Sequence, residues 1–275
     1  MSDTATTMLV AVGCEFTYET EGAAPSVFLV RPLDCGPHLQ SESWVTVPQL
    51  PYHDYTDLYG NQPRRLTLPD GRCSVRYDAR IEISGEPDDT DLAAAELPVE
   101  ALPDDVLLYT LPSRFCLSDT LMDEAWERFG GIAPGWGRVQ AICDWVHGAL
   151  RFAYGSSRPL TTAADALRDR TGVCRDFAHL AVTFCRALNI PARYTFGYLP
   201  DIGAEVPAPD APMDFCAWFE AFLGGRWWTF DPRNNQRRIG HIAIARGRDA
   251  LDVAMVTSFG AARLENMTVW ADRVA

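Results

Sequence analysis

The sequence predicts an α+β protein. It divides into a β-sandwich-like domain with a linker over residues 1–110 and a domain over 111–275 in which a cysteine-bearing helix packs against an antiparallel sheet. Three observations carry this prediction: short alternating runs separated by Gly, Pro and Asp clusters up to about Ser84, helical periodicities from Ser118 onward, and a hairpin signal at Gly224-Gly225. With 275 residues, 47% of them hydrophobic, the chain can bury two modest cores.

The first part holds β-rich runs at 8–17, 26–31, 44–47, 65–68 and 73–83, divided by clusters such as Glu21-Gly22 to Pro25 and Pro69-Asp70-Gly71. The last run is the clearest. Cys73, Val75, Tyr77, Ala79, Ile81 and Ile83 alternate with Ser74, Arg76, Asp78, Arg80 and Glu82, the pattern of a strand with one wet face. His38 and His53 fall near turns and receive no role. Between Gly85 and Ser113 an acidic stretch punctuated by Pro87, Pro98 and Pro103 reads as a linker or an extended crossing.

Helical patterns follow over 118–129, capped by Ser118-Asp119, and over 138–152, with Val139, Ile142, Trp145, Val146 and Leu150 on one face and His147 beside it. A shorter helix opens at Thr161-Thr162 and ends near Arg170. Thr171-Gly172 then turns the chain into the helix of Cys174, whose apolar stripe runs Phe177, Leu180, Ala181, Phe184, Leu188 and whose end is marked by Asn189 and Pro191. At a helix start, unpaired N–H groups and the positive end of the dipole favour thiolate over thiol and offer donors to an oxyanion. Cys174 is therefore a candidate nucleophile, although a lone cysteine beside an apolar stripe also fits a small buried hydrophobe.

Residues 192–198 read as a strand, and the proline-rich stretch 199–212 as a surface loop able to flank a cleft. Closing the hairpin at Gly224-Gly225 pairs residue 223 with 226, and continued regularly pairs 218 with 231 and 216 with 233. Cys216, Trp218, Asp231 and Arg233 then share a face, with Cys216 and Asp231 as diagonal neighbours.

A net charge of −13 and a pI ≈ 4.8 oppose nucleic acid or anionic membrane as partners, both of which need a basic surface. The N-terminal residues lack a basic leader and no run of about 18 apolar residues occurs, so a soluble, cytoplasmic chain is expected. Eight cysteines without a C-x-x-C pair give little support to a disulfide framework or structural zinc module.

Three ordered blocks resemble the transglutaminase-like superfamily of papain-related cysteine enzymes: Gly172-Val-Cys174-Arg-Asp-Phe-Ala-His-Leu, then Ile190-Pro-Ala-Arg-Tyr with Gly197-Tyr198, then Asp214-Phe-Cys216-Ala-Trp218-Phe-Glu with Trp227-Trp228-Thr-Phe-Asp231-Pro. The resemblance spans roughly 115–260, and the β-rich part resembles the domain that often precedes this module in bacterial members. It implies a Cys174 nucleophile that forms a thioester with an amide or peptide, resolved by water or an amine. It also implies an orienting Asp231, no cofactor, and a peptide, protein or small amide as substrate.

The departure is at the base. The family's histidine position holds Cys216, and a thiol neither accepts a proton well near neutral pH nor hands one readily to a leaving amine. Four readings follow: an altered enzyme served by another base, with His179 or His241 as candidates; a pseudoenzyme that binds a peptide or protein in a cleft walled by Trp218, Trp227 and Tyr198; a Cys174–Cys216 disulfide; or a metal held by Cys174, Cys216 and Asp231. Arg233, Arg237 and Arg238 form a small basic run after Asp231, either a solvated turn or a carboxylate site.

Overall fold

The computed structural model describes residues 7–203 and 213–274. Of the proline-rich stretch expected beside the cleft, residues 204–212 lie outside the described residues.

The first strands are β1 (Thr7–Thr20), β2 (Ala24–Phe28), β3 (Leu39–Val47), β4 (Tyr52–Asp54), β5 (Arg64–Leu68) and β6 (Gly71–Ser84). β6 buries alternate residues as its sequence dictates. Short helical turns follow, α1 (Asp104–Leu107) among them, then α2 (Met122–Phe129), α3 (Trp136–Ala149), β7 (Arg151–Phe152), α4 (Ala163–Asp169), β8 (Thr171–Gly172) and α5 (Cys174–Ala187). The chain ends with β9 (Ala192–Tyr198), β10 (Cys216–Leu223), β11 (Arg226–Phe230), β12 (Ile242–Gly247), β13 (Val256–Ser258) and β14 (Ala262–Arg273).

Two four-stranded sheets, ordered β14-β1-β6-β3 and β13-β2-β5-β4, form the sandwich. Their inner faces share one core through Val12, Phe16, Phe28, Leu66, Leu68 and Tyr77. The expected boundary at 110 therefore needs correction: β13 and β14, from the last 20 or so residues, belong to the N-terminal sheets, where β14 covers the open edge of β1.

The third sheet, β11-β10-β9-β12, is antiparallel, and α5 packs on it through Phe177, Leu180, Ala181 and Phe184. α5 is anchored by Arg186, 2% exposed, which donates to the carbonyls of Ala192, Leu111 and Arg248 and to Ser113 Oγ. Tyr198 ties this sheet to the sandwich, its hydroxyl donating to Val30 O at 2.9 Å.

Two helix boundaries differ from expectation. Ser118-Asp119 does not open α2, because 117–120 closes its own turn through Thr120 N–H to Leu117 O. α3 stops at Ala149, and Arg151–Phe152 instead pairs in parallel with Thr171–Gly172.

A candidate cysteine active site

Gly172 and Asp176 set the entrance to α5. Asp176 is fully buried in its side chain and accepts the Val173 N–H at 2.8 Å and the Ser157 hydroxyl at 3.0 Å, so the first turn is capped by its own third residue. A Cβ at 172 would stand 2.7 Å from Asp176 Cβ, which restricts that position to glycine. Arg175 donates to Ser157 Oγ at 2.6 Å and Arg158 O at 2.7 Å, fixing the loop before the helix. The N–H groups of Cys174 and Arg175 thus head the helix beside a half-buried thiol.

The start of β10 faces that thiol. Cys174 Sγ lies 3.9 Å from Phe215 O, and it packs against a small cluster of Leu199, Cys216, Trp218 and Ala243. The Cys216 thiol, hydrogen-bonded to Cys174, holds the Cys174 pKa below its ordinary value of 9.0; burial opposes this, and the Ala217 N–H adds to it. Cys216 is driven the other way, well above 9.0, by the same hydrogen bond and by burial. The shared hydrogen bond thus favours the thiolate at Cys174 and the proton on Cys216. In this arrangement Cys216 is a hydrogen-bond donor held beside a nucleophile, not a base.

Both sulfurs line a cavity of about 630 Å³. Its walls are chiefly apolar, with Phe115, Tyr194, Phe196, Phe215, Val253 and Met255 among them. Ser157, Arg158 and Asp214 supply its polar edge. Burial raises the Asp214 carboxyl above its ordinary 3.8 against the opposing Phe215 N–H. Asp214 was not singled out from sequence. It lies two residues before β10 begins, where no strand periodicity points to it.

Asp231 is not where a regular hairpin puts it. The ladder runs as expected from Leu223↔Arg226 to Phe219↔Phe230 and stops there. Pro232 has no N–H to continue it, and Asp231 Oδ1 instead accepts the N–H groups of Arg233 and Asn234 at 3.0 Å each, closing a turn. The other oxygen meets His241 Nε2 at 3.3 Å, while His241 Nδ1 reaches Asp88 Oδ2 at 2.7 Å. Cys216 and Asp231 are thus not hydrogen-bonded neighbours, and Asp231 acts on Cys216 only as a nearby charge.

Neither candidate histidine serves Cys174. Burial pulls the His241 pKa down, but the bonds to Asp231 and Asp88 overcome it and raise the group to about 9, so the ring is an imidazolium between two carboxylates. His179 is fully buried, stacked between Phe115 and Tyr194, with its pKa driven well below 6.5 by burial and by Arg175 and Arg186. Its Nε2 accepts the Ala250 N–H at 3.1 Å, which pins the segment that walls the cavity.

The aromatic residues expected to wall the cleft do other work. Trp218 is 1% exposed beneath Cys216, with its ring 4.6 Å from that of His241. Trp227 packs on Phe222 and Tyr109 at the opposite end of the hairpin under the Arg193 guanidinium. Tyr198 points into the sandwich. Of the expected metal set, Asp231 is turned toward His241 and Asn234, and among the described residues no three metal-ligating side chains converge. Of the basic run, Arg233 donates to Asn234, Arg237 to Asp88 O, and Arg238 to Pro200 O.

Comparison with known proteins places these residues in context. The family model of the transglutaminase-like superfamily matches residues 127–232. The chain is similar to a solved structure from Cytophaga hutchinsonii described as a proposed cysteine protease, at 33% identity and a TM-score of 0.86 over 98% of this chain and 92% of that one. It is also similar to uncharacterized proteins of Mycobacterium leprae, 28% identical over 213 residues and covering 76% of both chains, and of Mycobacterium tuberculosis, 28% identical over 220 residues and covering 72% of this chain and 68% of that one.

Proposed function

Because this chain belongs to the transglutaminase-like superfamily, we propose that it is a cysteine hydrolase or acyltransferase that acts on amide or peptide bonds through a Cys174 thioester, with acid–base machinery altered at Cys216. The observation that carries this reading is the Cys174 thiol at the head of α5, packed with Cys216 and opening on a 630 Å³ cavity large enough for an acyl group. The thiolate attacks the acyl carbon, and the N–H groups heading α5 stabilise the oxyanion. The departing amine needs a proton. Asp214, a carboxyl that burial raises above its ordinary value, lines the same cavity and is the acidic group placed to supply it. A water or an amine then resolves the thioester. The substrate is a peptide, protein or small amide, the site needs no cofactor, and the protein acts in the cytoplasm.

A second reading is favoured by one observation: Asp231, the family's orienting carboxylate, is fully engaged by His241 and Asn234. A protein that only binds a peptide or protein in the cavity would be under no demand to keep it free.

Intact-mass detection of an acyl adduct on Cys174 with a panel of peptide and small amide donors separates the two. The enzyme reading expects an adduct that turns over and disappears in Cys174→Ala. Tight, saturable peptide binding that survives Cys174→Ala, with no adduct at any donor concentration, supports the binding protein instead.

A further inference from the structure

The residue that fails as a base has a chemistry of its own. Two thiols in one small cluster, at the wall of a cavity that admits a small molecule, are the components of a thiol–disulfide couple. Neither sulfur is bonded to another cysteine in this structure. We propose that Cys174 and Cys216 form a hydroperoxide-reducing pair, in which Cys174 is the sulfur oxidised and Cys216 the thiol that resolves it into a disulfide.

The steps balance as follows. The Cys174 thiolate attacks the distal oxygen of a hydroperoxide; an S–O bond forms, the O–O bond breaks, and the departing alkoxide or hydroxide takes up a proton. Cys174 is then a sulfenic acid and the peroxide has become an alcohol or water. Cys216 next attacks the sulfenic sulfur, an S–S bond forms, and the sulfenic oxygen leaves as water with the Cys216 proton. Two thiols have given up two electrons, and a low-molecular-weight dithiol returns them.

Placement distinguishes this pair from the other six cysteines. Cys14, Cys73, Cys116, Cys143 and Cys185 are buried, with burial raising each thiol. Cys35 is half-buried and pushed to about 11, first by burial and then by Asp34. Cys174 alone among the eight is shifted downward, as a peroxide-reactive sulfur requires. The resolving thiol belongs to the small cluster against which Cys174 packs, and it lines the same cavity. Nothing in this step uses Asp231 or an acyl donor, so it stands apart from the amide chemistry.

The test is peroxide titration of the full, reduced protein with site-resolved mass spectrometry under non-reducing conditions. One equivalent of hydrogen peroxide is expected to consume two thiols, join the Cys174 and Cys216 peptides, and release them again with dithiothreitol. Cys174 should react at least ~10-fold faster than Cys35. In Cys216→Ser the cross-link is lost and a sulfenic acid on Cys174 is captured by dimedone. Over-oxidation of Cys174 to sulfinic acid with a free Cys216 in the wild-type protein overturns the proposal, as does a cross-link between other cysteines or no oxidation at Cys174. The wild-type titration stands even if the variant does not fold, and it reads sulfur directly, so loss of acyl transfer does not bear on it.

Discussion

His241 bridges two carboxylates: its Nε2 lies 3.3 Å from Asp231 Oδ2 while its Nδ1 lies 2.7 Å from Asp88 Oδ2, and the imidazole is 3% exposed in its side chain. One imidazolium thereby joins the sheet of the site to the segment that crosses from the sandwich. Its folded pKa of about 9 lies above the ordinary 6.5, so the stabilisation is complete below pH 6.5, declines as pH rises, and is gone above about 9. Folding stability from urea titrations is expected to fall by about 2–3 kcal/mol across that window. His241→Gln should be less stable at pH 6 and lose most of this slope. An unchanged slope in the variant refutes the assignment.

The same contact shapes what a restored histidine can do. General acid–base catalysis contributes about 10²–10⁴-fold. Cys216→His is expected to reach only the lower part of that range in amidase rate, because Asp231 is already bonded to His241 and Asn234. Adding His241→Gln should raise the rate further by removing the imidazolium from Asp231 Oδ2, which then keeps Asn234 as its only side-chain donor among the described residues. Steady-state amidase assays of the single and double variants check this, and a single variant as fast as the double would show that Asp231 was never withheld.

Gly197 is the glycine beneath the site. It pairs with Cys216 on one side and Ala243 on the other, and a Cβ there would stand 2.0 Å from Ile242 O and 2.9 Å from the Trp218 ring. The first of these is backbone in the middle of the sheet and cannot yield cheaply. Gly197→Ala is expected to cost about 3 kcal/mol or more, above the usual range for overpacking. Thermal unfolding measures it, and a loss under about 0.5 kcal/mol would contradict the geometry.

Arg186 shows a different liability. It is a buried cation whose partners are mostly backbone carbonyls, so removing it leaves the oxygens of Ala192, Leu111 and Arg248 without their donor. Arg186→Leu should destabilise by about 3–5 kcal/mol and loosen the 248–256 segment that walls the cavity. Hydrogen exchange of that segment rises in the expected case; exchange confined to global unfolding would separate Arg186 from the cavity wall.

What could be read from sequence follows from how local each determinant is. Gly224-Gly225 fixes its own register, so the pairing 223 with 226 held through Phe219↔Phe230, and the stripe on α5 marked residues that pack on the sheet, although the helix is buried all round from Asp176 to Ala187. Asp231 left the ladder because Pro232 ends the hydrogen bonding one residue later, and its partners His241 and Asp88 are distant in sequence. The segment 262–273 is mostly exposed, with Val269 and Ala271 as its buried residues, so its return to β1 had no strong periodic signature. Trp218, Trp227 and Tyr198 share the chemistry of binding-site aromatics, yet they lie against His241, Tyr109 and Cys14. Aromatic identity alone does not separate a wall from a core.

The ionisation of Cys174 gives the sharpest test of the site, because its causes can be removed one at a time. Only the thiolate alkylates, so the rate with iodoacetamide rises with pH and levels off above the folded pKa. The Cys216 hydrogen bond is the largest influence lowering that pKa below 9.0, with burial acting against it. The wild-type inflection is therefore expected below 9, and in Cys216→Ala it should move upward, because burial persists while the donor is lost. The remaining Ala217 N–H and the helix start limit the rise. Linkage requires the same sign in stability: the thiolate's contribution is present above the unfolded thiol pKa and lost as pH falls through the lower folded value. Site-resolved alkylation between pH 5 and 10 measures the shift. An inflection that stays in place or moves downward in Cys216→Ala would mean that the second thiol does not stabilise the first, and both the acyl-transfer and the peroxide chemistry would then need another source of the thiolate.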